Sequence, residues 1–325
     1  MKNNLIWKWL ALACLLMALA VMPKLLPEFY LNLLITMVIY SLCAVSFNML
    51  LGQTGLLSFG HAAYFGIGAY APILLFKHFE CSLLLGTLAG GVTALLLGIV
   101  FGFFVARKSG LPFALLSLAF NALIWGVAEK WRSLTGGEDG LAASRPDLFL
   151  PGFGTIDMFS TINFYYFVVI VVVLCITCCW YLTQTPLGKL NLLIRENEQR
   201  TAFIGYDTFK TKYLVYLICA FFCGIAGALA SIFGEYVATT MINMEKSSDI
   251  LIMTYVGGRF TFWGPIVGAC FLIYINDALS SLTEYWAIVQ GTMFIVLVMY
   301  APFGISGLLI RIKDWVWAKQ EDNRS

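Results

Sequence analysis

Runs of about twenty apolar residues recur along this chain, and a helix rising 1.5 Å per residue needs about that many to cross a ~30 Å hydrocarbon layer. The runs fall near 5–22, 29–50, 54–76, 82–105, 111–130, 164–183, 213–232 and 287–310. A further apolar region, 249–279, is interrupted by Gly257, Gly258, Gly264 and Pro265. It reads either as a re-entrant hairpin or as two short helices. In lipid the backbone must satisfy its own hydrogen bonds, which favours helices. The expectation is an all-α polytopic membrane protein, a single transmembrane domain over 1–325, with about eight full spans plus the broken pair. Composition agrees: 60% of the residues are apolar and 12% charged, against about 45–50% and about 25% in soluble domains. A net charge of +2 gives no electrostatic footprint for nucleic acid.

The stretch Met1–Met22 carries Lys2, Lys8 and an Ala18-Leu19-Ala20 sequence, features shared with signal peptides. It is nevertheless long enough to read as a retained first helix, and either reading leaves the next helix facing the same way. Lys and Arg concentrate on one side of the alternating spans. With the N-terminus inside, the inner segments hold Lys2, Lys8, Arg107, Lys108, Lys189, Arg195, Arg200, Lys210, Lys212, Arg311, Lys313, Lys319 and Arg324, while the outer ones hold Lys24, Lys77, Lys130, Arg132, Arg145, Lys246 and Arg259. The positive-inside rule then puts both termini in the cytoplasm. Residues 131–163 become an outer loop, and residues 184–212 the largest inner one.

Nine cysteines are present, eight of them within apolar runs, and only two histidines, His61 and His78. No spacing resembles a metal site or a disulfide framework. No G-x-x-x-x-G-K-[ST] loop occurs, so the chain is not itself a P-loop ATPase.

The sequence "GQTGLLSFGHAAYFGIGAY" from Gly52 to Tyr70 puts glycines and polar groups at membrane depth. Close helix packing accounts for many of the glycines. Gln53, Thr54, Ser58 and His61 are less easily explained that way, because polar groups in a bilayer usually face a protein interior or a wet path. Two glycine-broken segments, one in each half, point to a transport route, so these four residues are candidates for its lining. His61 stays open between a packing and a pathway role. In the inner loop, "LIRENEQRTAFIG" predicts a short amphipathic helix over roughly 194–203, with a Glu196–Arg200 pair at i,i+4 and Gly205 closing it. In the outer loop, "TGGEDG" supplies turn-forming glycines and the acidic Glu138 and Asp139.

"GQTGLLSFGHAAYFGIGAYA", "LTGGEDGL", "LGKLNLLIRENEQRTAFIGYDTFKTK", "FFCGIAGALAS" and "GGRFTFWGPIVGA" occur in that order. Together they resemble the permease subunits of branched-chain amino acid ABC importers, the LivM-like group, over roughly residues 30–310. The resemblance implies a bacterial inner-membrane importer in which this chain pairs with a second homologous permease. Two cytoplasmic ATPase subunits would bind below and a periplasmic substrate-binding protein would dock above, at the 131–163 loop. It implies no cofactor in this chain, with ATP and Mg in the ATPases, and no enzymatic activity here. The inner loop would dock on the ATPase through Glu196, Asn197, Arg200, Ala202 and Gly205. The usual family pattern at the second break is G-G-x-G-T-x-x-G-P. Here Phe260 stands at the third glycine, after Arg259. Related permeases carry urea, amides or aromatic acids. An ion-coupled secondary carrier would more often hold an intramembrane carboxylate, and Asp277 is the nearest approach to one. A membrane-embedded enzyme would need a nucleophile–base pair or a ligand set, and the sequence displays neither.

Overall fold

The computed structural model describes residues 22–23, 26–79, 81–150, 154–282, 285–300 and 303–307. The expected span over 5–22 therefore lies almost wholly outside the described residues. In chain order the helices are α1 (Glu28–Thr54), α2 (His61–His78), α3 (Leu83–Val105), α4 (Leu111–Lys130), the single turn α5 (Arg132–Thr135), α6 (Thr161–Gln184), α7 (Pro186–Phe203), α8 (Thr208–Gly234), α9 (Met244–Gly257), α10 (Gly264–Leu282) and α11 (Trp286–Tyr300). Six of them, α1, α3, α4, α6, α8 and α10, are long and apolar enough to cross a membrane. Five of these six match full spans read from the sequence, and the sixth, α10, comes from the broken pair; 287–310 corresponds to a shorter apolar helix over Ala287–Leu297.

The predicted span 54–76 begins only at His61. Gly55–Gly60 is non-helical, and α1 ends at Gly55 in the left-handed conformation with φ 76°. Helix α2 has the length of a span but is buried by its neighbours along most of its course. The centre of the bundle is α1, α2 and α8, with α3 against α2 and α8. Small residues set the spacing. A Cβ on Gly68 would lie 2.3 Å from the Gly224 carbonyl oxygen, one on Gly227 1.9 Å from that of Phe65, and one on Gly90 2.6 Å from that of Gly68. The backbones of α2, α3 and α8 touch there, as small residues allow in lipid. Outward faces of α3, α4 and α6 carry exposed Leu85, Leu96, Phe104, Leu115, Ile170 and Leu174.

Two pieces of irregular chain add detail that the sequence reading lacked. The 131–163 segment is not helical throughout: it adds two antiparallel pairs, Leu141–Ala142 with Tyr236–Val237, and Leu148–Leu150 with Gly154–Ile156. Its Gly136, Gly137 and Gly140 all take positive φ, as turn-forming glycines do. Beyond α8 the chain then dips into the bundle. Ile242 packs where Gly66 leaves room, and Asn121 Nδ2 donates to the Ile242 carbonyl at 3.1 Å. Helix α9 therefore starts near mid-depth. Its 14 residues reach about 21 Å at 1.5 Å each, too short to span.

The broken region resolves into two helices, α9 and α10, packed as a hairpin. A Cβ on Gly257 would meet the Gly264 carbonyl oxygen at 2.0 Å, and one on Gly268 that of Met253 at 1.9 Å. Pro265 follows at the start of α10, where a missing N–H costs nothing. Gly258 has φ 113°, a conformation that L side chains rarely adopt. Phe260 does not take positive φ, since Glu235 alone does so among described non-glycine residues, so the break tolerates it in place of a glycine. The hairpin tip reaches the face that carries 106–110 and 185–207. This corrects the outer placement of Arg259. Lys246 is also not in an outer loop: its Nζ lies 4.7 Å from the centre of the Tyr40 ring, midway along α1.

Candidate translocation and coupling site

Both helix breaks and the 185–207 loop meet at one end of the bundle. Arg195 of α7 donates through Nη1 to the Gly52 carbonyl at 2.6 Å, near the C-terminus of α1. A cation there complements the unpaired carbonyls of a helix end. The same guanidinium lies 5.7 Å from the Phe260 ring centre. Gly52 is so close to the second break that a Cβ would sit 2.1 Å from the Arg259 carbonyl oxygen. Asn48 Nδ2 donates to the Thr261 carbonyl at 3.1 Å. Arg259 itself donates to the Tyr255 hydroxyl at 2.9 Å and lies against the Tyr255 and Phe260 rings.

The four polar residues proposed from sequence to line a route sit around the first break. Gln53 is half-buried, whereas Thr54, Ser58 and His61 are buried. Thr54 Oγ1 donates to the Met49 carbonyl at 3.1 Å, and Ser58 Oγ accepts from Gly60 N at 3.2 Å. Ser117 of α4 accepts from Phe59 N at 3.0 Å, and Ser247 of α9 accepts from Ala62 N at 3.0 Å. These hydroxyls satisfy backbone groups that the break would otherwise leave unpaired inside the protein. The His61 ring packs edge-on against Phe47 at 4.7 Å between centroids, and neither ring nitrogen has a hydrogen-bond partner.

The 184–212 loop is built differently from its expectation. Helix α7 runs over Pro186–Phe203 and is interrupted at Asn197, with φ −162° and ψ 103°. Asn197 caps a second short helix: its Oδ1 accepts from Arg200 N at 2.9 Å. The interruption removes the i,i+4 geometry across it, and no Glu196–Arg200 ion pair forms. Both side chains are exposed. Gly205 closes the helix as expected, with φ 99°, Gly205 N donating to Ala202 O at 2.9 Å and Tyr206 N to Thr201 O at 3.4 Å. This is the paired closure of a Schellman motif.

What holds this tip is a residue to which the sequence reading gave no such role. Lys212, at the start of α8, has a side chain only 3% exposed. Its Nζ lies 2.6 Å from Glu198 Oε1 and donates to Ser109 Oγ at 2.9 Å and the Lys108 carbonyl at 3.1 Å. Ser109 in turn donates to Glu198 Oε2. Partial burial raises the pKa of the Glu198 carboxyl, but the hydrogen bonds from Lys212 and Ser109 and the Lys212 charge outweigh it and hold that pKa below its ordinary value. Beyond this tie, Phe203 (90% exposed), Ile204 and Tyr206 project without cover. At the opposite end, Arg145 was likewise counted only as a loop cation. It donates to the carbonyls of Ile232, Met158 and Phe233 at 3.3, 3.1 and 3.0 Å and stacks on Phe164 at 3.9 Å, pinning the 131–163 segment to the end of α8. Nothing in the sequence around Arg145 distinguishes it from an ordinary loop arginine.

A family model described as the permease component of the branched-chain amino acid transport system matches residues 29–298. The chain belongs to this permease family. It is 24% identical over 286 residues to the Escherichia coli high-affinity branched-chain amino acid transport system permease protein LivM, covering 82% of this chain and 67% of that one. It is 24% identical over 293 residues to the LivH permease of the same description from Salmonella typhimurium, covering 82% and 91%. The ribose import permease RbsC of Haemophilus influenzae is 23% identical over 233 residues, covering 67% and 66%. No solved structure matches the chain. As a permease of the ABC type, the chain is a transport component rather than an enzyme.

Proposed function

We propose that this chain is one of two transmembrane subunits of an ATP-driven bacterial importer for branched-chain or other hydrophobic amino acids. Both permeases named LivM and LivH are described as serving branched-chain amino acids, which supports that substrate class over ribose. The observation that carries the reading is the anchored loop: a capped, closed helical tip, held to the bundle by Lys212, with bare Phe203, Ile204 and Tyr206 pointing away from it. A stiff element with an exposed apolar end suits docking on a cytoplasmic ATPase, with Glu196, Asn197, Arg200, Ala202 and Gly205 forming its rim. ATP and Mg would be held by two such ATPases. A periplasmic binding protein would dock at the 131–163 face, where Glu138 and Asp139 lie. The second permease subunit would complete the route. The Lys and Arg of the 106–110 and 185–207 segments, joined there by Arg259, support a cytoplasmic position for that face.

In this reading Gln53, half-exposed between the two breaks, meets the solute, while Thr54, Ser58 and His61 hold the break in shape. Affinity purification of the chain from cells expressing its neighbouring genes should bring down two ATPase copies. Leucine uptake into proteoliposomes of the complex should require ATP and a binding protein. Uptake by the single chain on an ion gradient alone would overturn the assignment, and uptake of ribose but not leucine would overturn the substrate class.

A further inference from the structure

A cleft of about 490 Å³ opens between the N-terminal half of α9 and the start of α11. Its polar lining is Asn243, Glu245, Ser248, Asp249 and Gln290. Gln290 is itself buried, and its Nε2 reaches Asp249 Oδ1 at 3.5 Å. Ala287 and Gly291, one helical turn apart on α11, leave the space unfilled. The depth follows from the contacts behind it. Lys246 lies over Tyr40, 12 residues into a 27-residue helix, which is about 18 Å from its start. Ser247 holds Ala62 N, and Ile242 is bonded to Asn121, midway along α4. The cleft therefore stands near the middle of the membrane, which makes Glu245 and Asp249, rather than the Asp277 expected from sequence, the carboxylates nearest mid-depth among the described residues.

Two carboxylates open to hydrocarbon at that depth would each cost about 2.5–3.5 kcal/mol even on lenient scales. Such groups face a protein interior or water. The neighbouring face of α11 behaves in the opposite way: Ile288, Ile295 and Met299 are all strongly exposed, as residues against lipid are. Water and lipid thus lie on different sides of this hairpin.

We infer that this cleft is a station on the translocation path that takes the ammonium end of the solute. Two carboxylates, Glu245 and Asp249, stand in the lining against one cation, Lys246, which lies over Tyr40 and interacts electrostatically with Asp249. Asn243, Ser248 and Gln290 supply hydrogen-bond acceptors for the remaining N–H groups. Met244 and Ile252 complete the wall and receive an apolar side chain. The volume lies within the range of small-molecule sites. The ligand class is an amine-bearing solute with an apolar tail. The assignment rests on the reading of the chain as a permease subunit.

The test uses the assembled transporter in proteoliposomes, with native cysteines replaced by alanine. Ser248→Cys should react with a cationic, membrane-impermeant thiosulfonate reagent at least about tenfold faster than the lipid-facing Ile295→Cys. Saturating leucine with binding protein should slow that reaction. Asp249→Asn should raise the leucine concentration for half-maximal uptake about tenfold, with ATPase copies still bound. Equal, slow labelling of Ser248→Cys and Ile295→Cys in a complex that still drives leucine uptake with ATP would overturn the station while leaving the permease reading intact. Fast labelling with unchanged uptake by Asp249→Asn would overturn the ammonium assignment.

Discussion

Replacing Lys212 with Met should release the tip of the 184–212 loop from the bundle. Methionine keeps most of the stem volume and removes the ammonium. The wild-type Nζ serves Glu198, Ser109 and the Lys108 carbonyl within 3.1 Å, and each hydrogen bond to a charged group contributes about 1.5–3 kcal/mol. Their sum is an upper bound, because the ammonium also gave up its hydration. Removing one partner of a buried pair costs about 3–5 kcal/mol. Glu198 remains 28% exposed and regains water when released, so the net cost of losing the tie is roughly 2–4 kcal/mol. At about 1.4 kcal/mol per tenfold, that is roughly a 30- to 1,000-fold shift in local opening. Hydrogen exchange on the assembled complex reads it directly: the amides of Gly205 and Tyr206, both bonded in the wild type, should exchange faster by that factor, while the middle of α8 should not change. Glu198→Gln keeps an acceptor and should show a smaller effect. The pH dependence has a definite sign. Since the Glu198 carboxyl is held below its ordinary pKa, the tie contributes fully above about pH 4.3 and is lost as pH falls through the lowered value. Protection corrected for intrinsic exchange should therefore be flat from pH 5 to 8. Unchanged exchange in Lys212→Met, or a loss of protection centred between pH 5 and 8, would refute the argument.

His61→Phe should leave assembly intact and raise thermal stability or leave it unchanged, because it removes two buried nitrogens without partners and such groups cost about 1–3 kcal/mol each; leucine uptake should stay within about twofold, and a collapse of uptake in an intact complex would restore His61 to the solute's route. Arg145→Ala should lower stability by about 2–4 kcal/mol, from three charge-assisted bonds discounted for rehydration, and should make residues 141–160 the first site of proteolysis in vesicles exposing that face; wild-type resistance to the protease would show that the strand pairs alone hold the segment.

The lipid-facing parts of the fold were legible because their chemistry repeats. Helices α3 and α4 were read from sequence to within a residue, since each presents an unbroken apolar face to the bilayer. The segment 54–76 misled for the converse reason. Helix α2 is buried among other helices, so neither its polarity nor its start at His61 is set by lipid, and the left-handed Gly55 cuts an apolar run that looks continuous. The depth of α9 was not legible either. It depends on Ile242 finding the gap at Gly66, a match of shape between residues 176 positions apart (242 less 66). Once the chain enters at mid-depth, a 14-residue helix suffices to carry Arg259 to the far face, and counting alternate spans assigns it the wrong side.

The junction itself left the least trace in the sequence. Arg195 binds a backbone carbonyl, Asn48 binds another, and Gly52 matters for what it lacks. Any residue offers a carbonyl, so neither acceptor, Gly52 nor Thr261, is marked by its side chain. The donors look like ordinary polar residues of a loop and a helix. Yet these contacts join the end of α1, the tip of the α9–α10 hairpin and the first half of α7 within one layer. Gly52 leaves no room for a side chain against Arg259, so the end of α1 and the hairpin tip pack backbone to backbone. Displacement of α7 by a docked partner would act on the Gly52 carbonyl through Arg195, and through it on both breaks together. Packed interfaces move between discrete arrangements rather than bending by degrees. A loop anchored by Lys212 on one side and by Arg195 on the other is therefore placed to move both halves of the break as one unit.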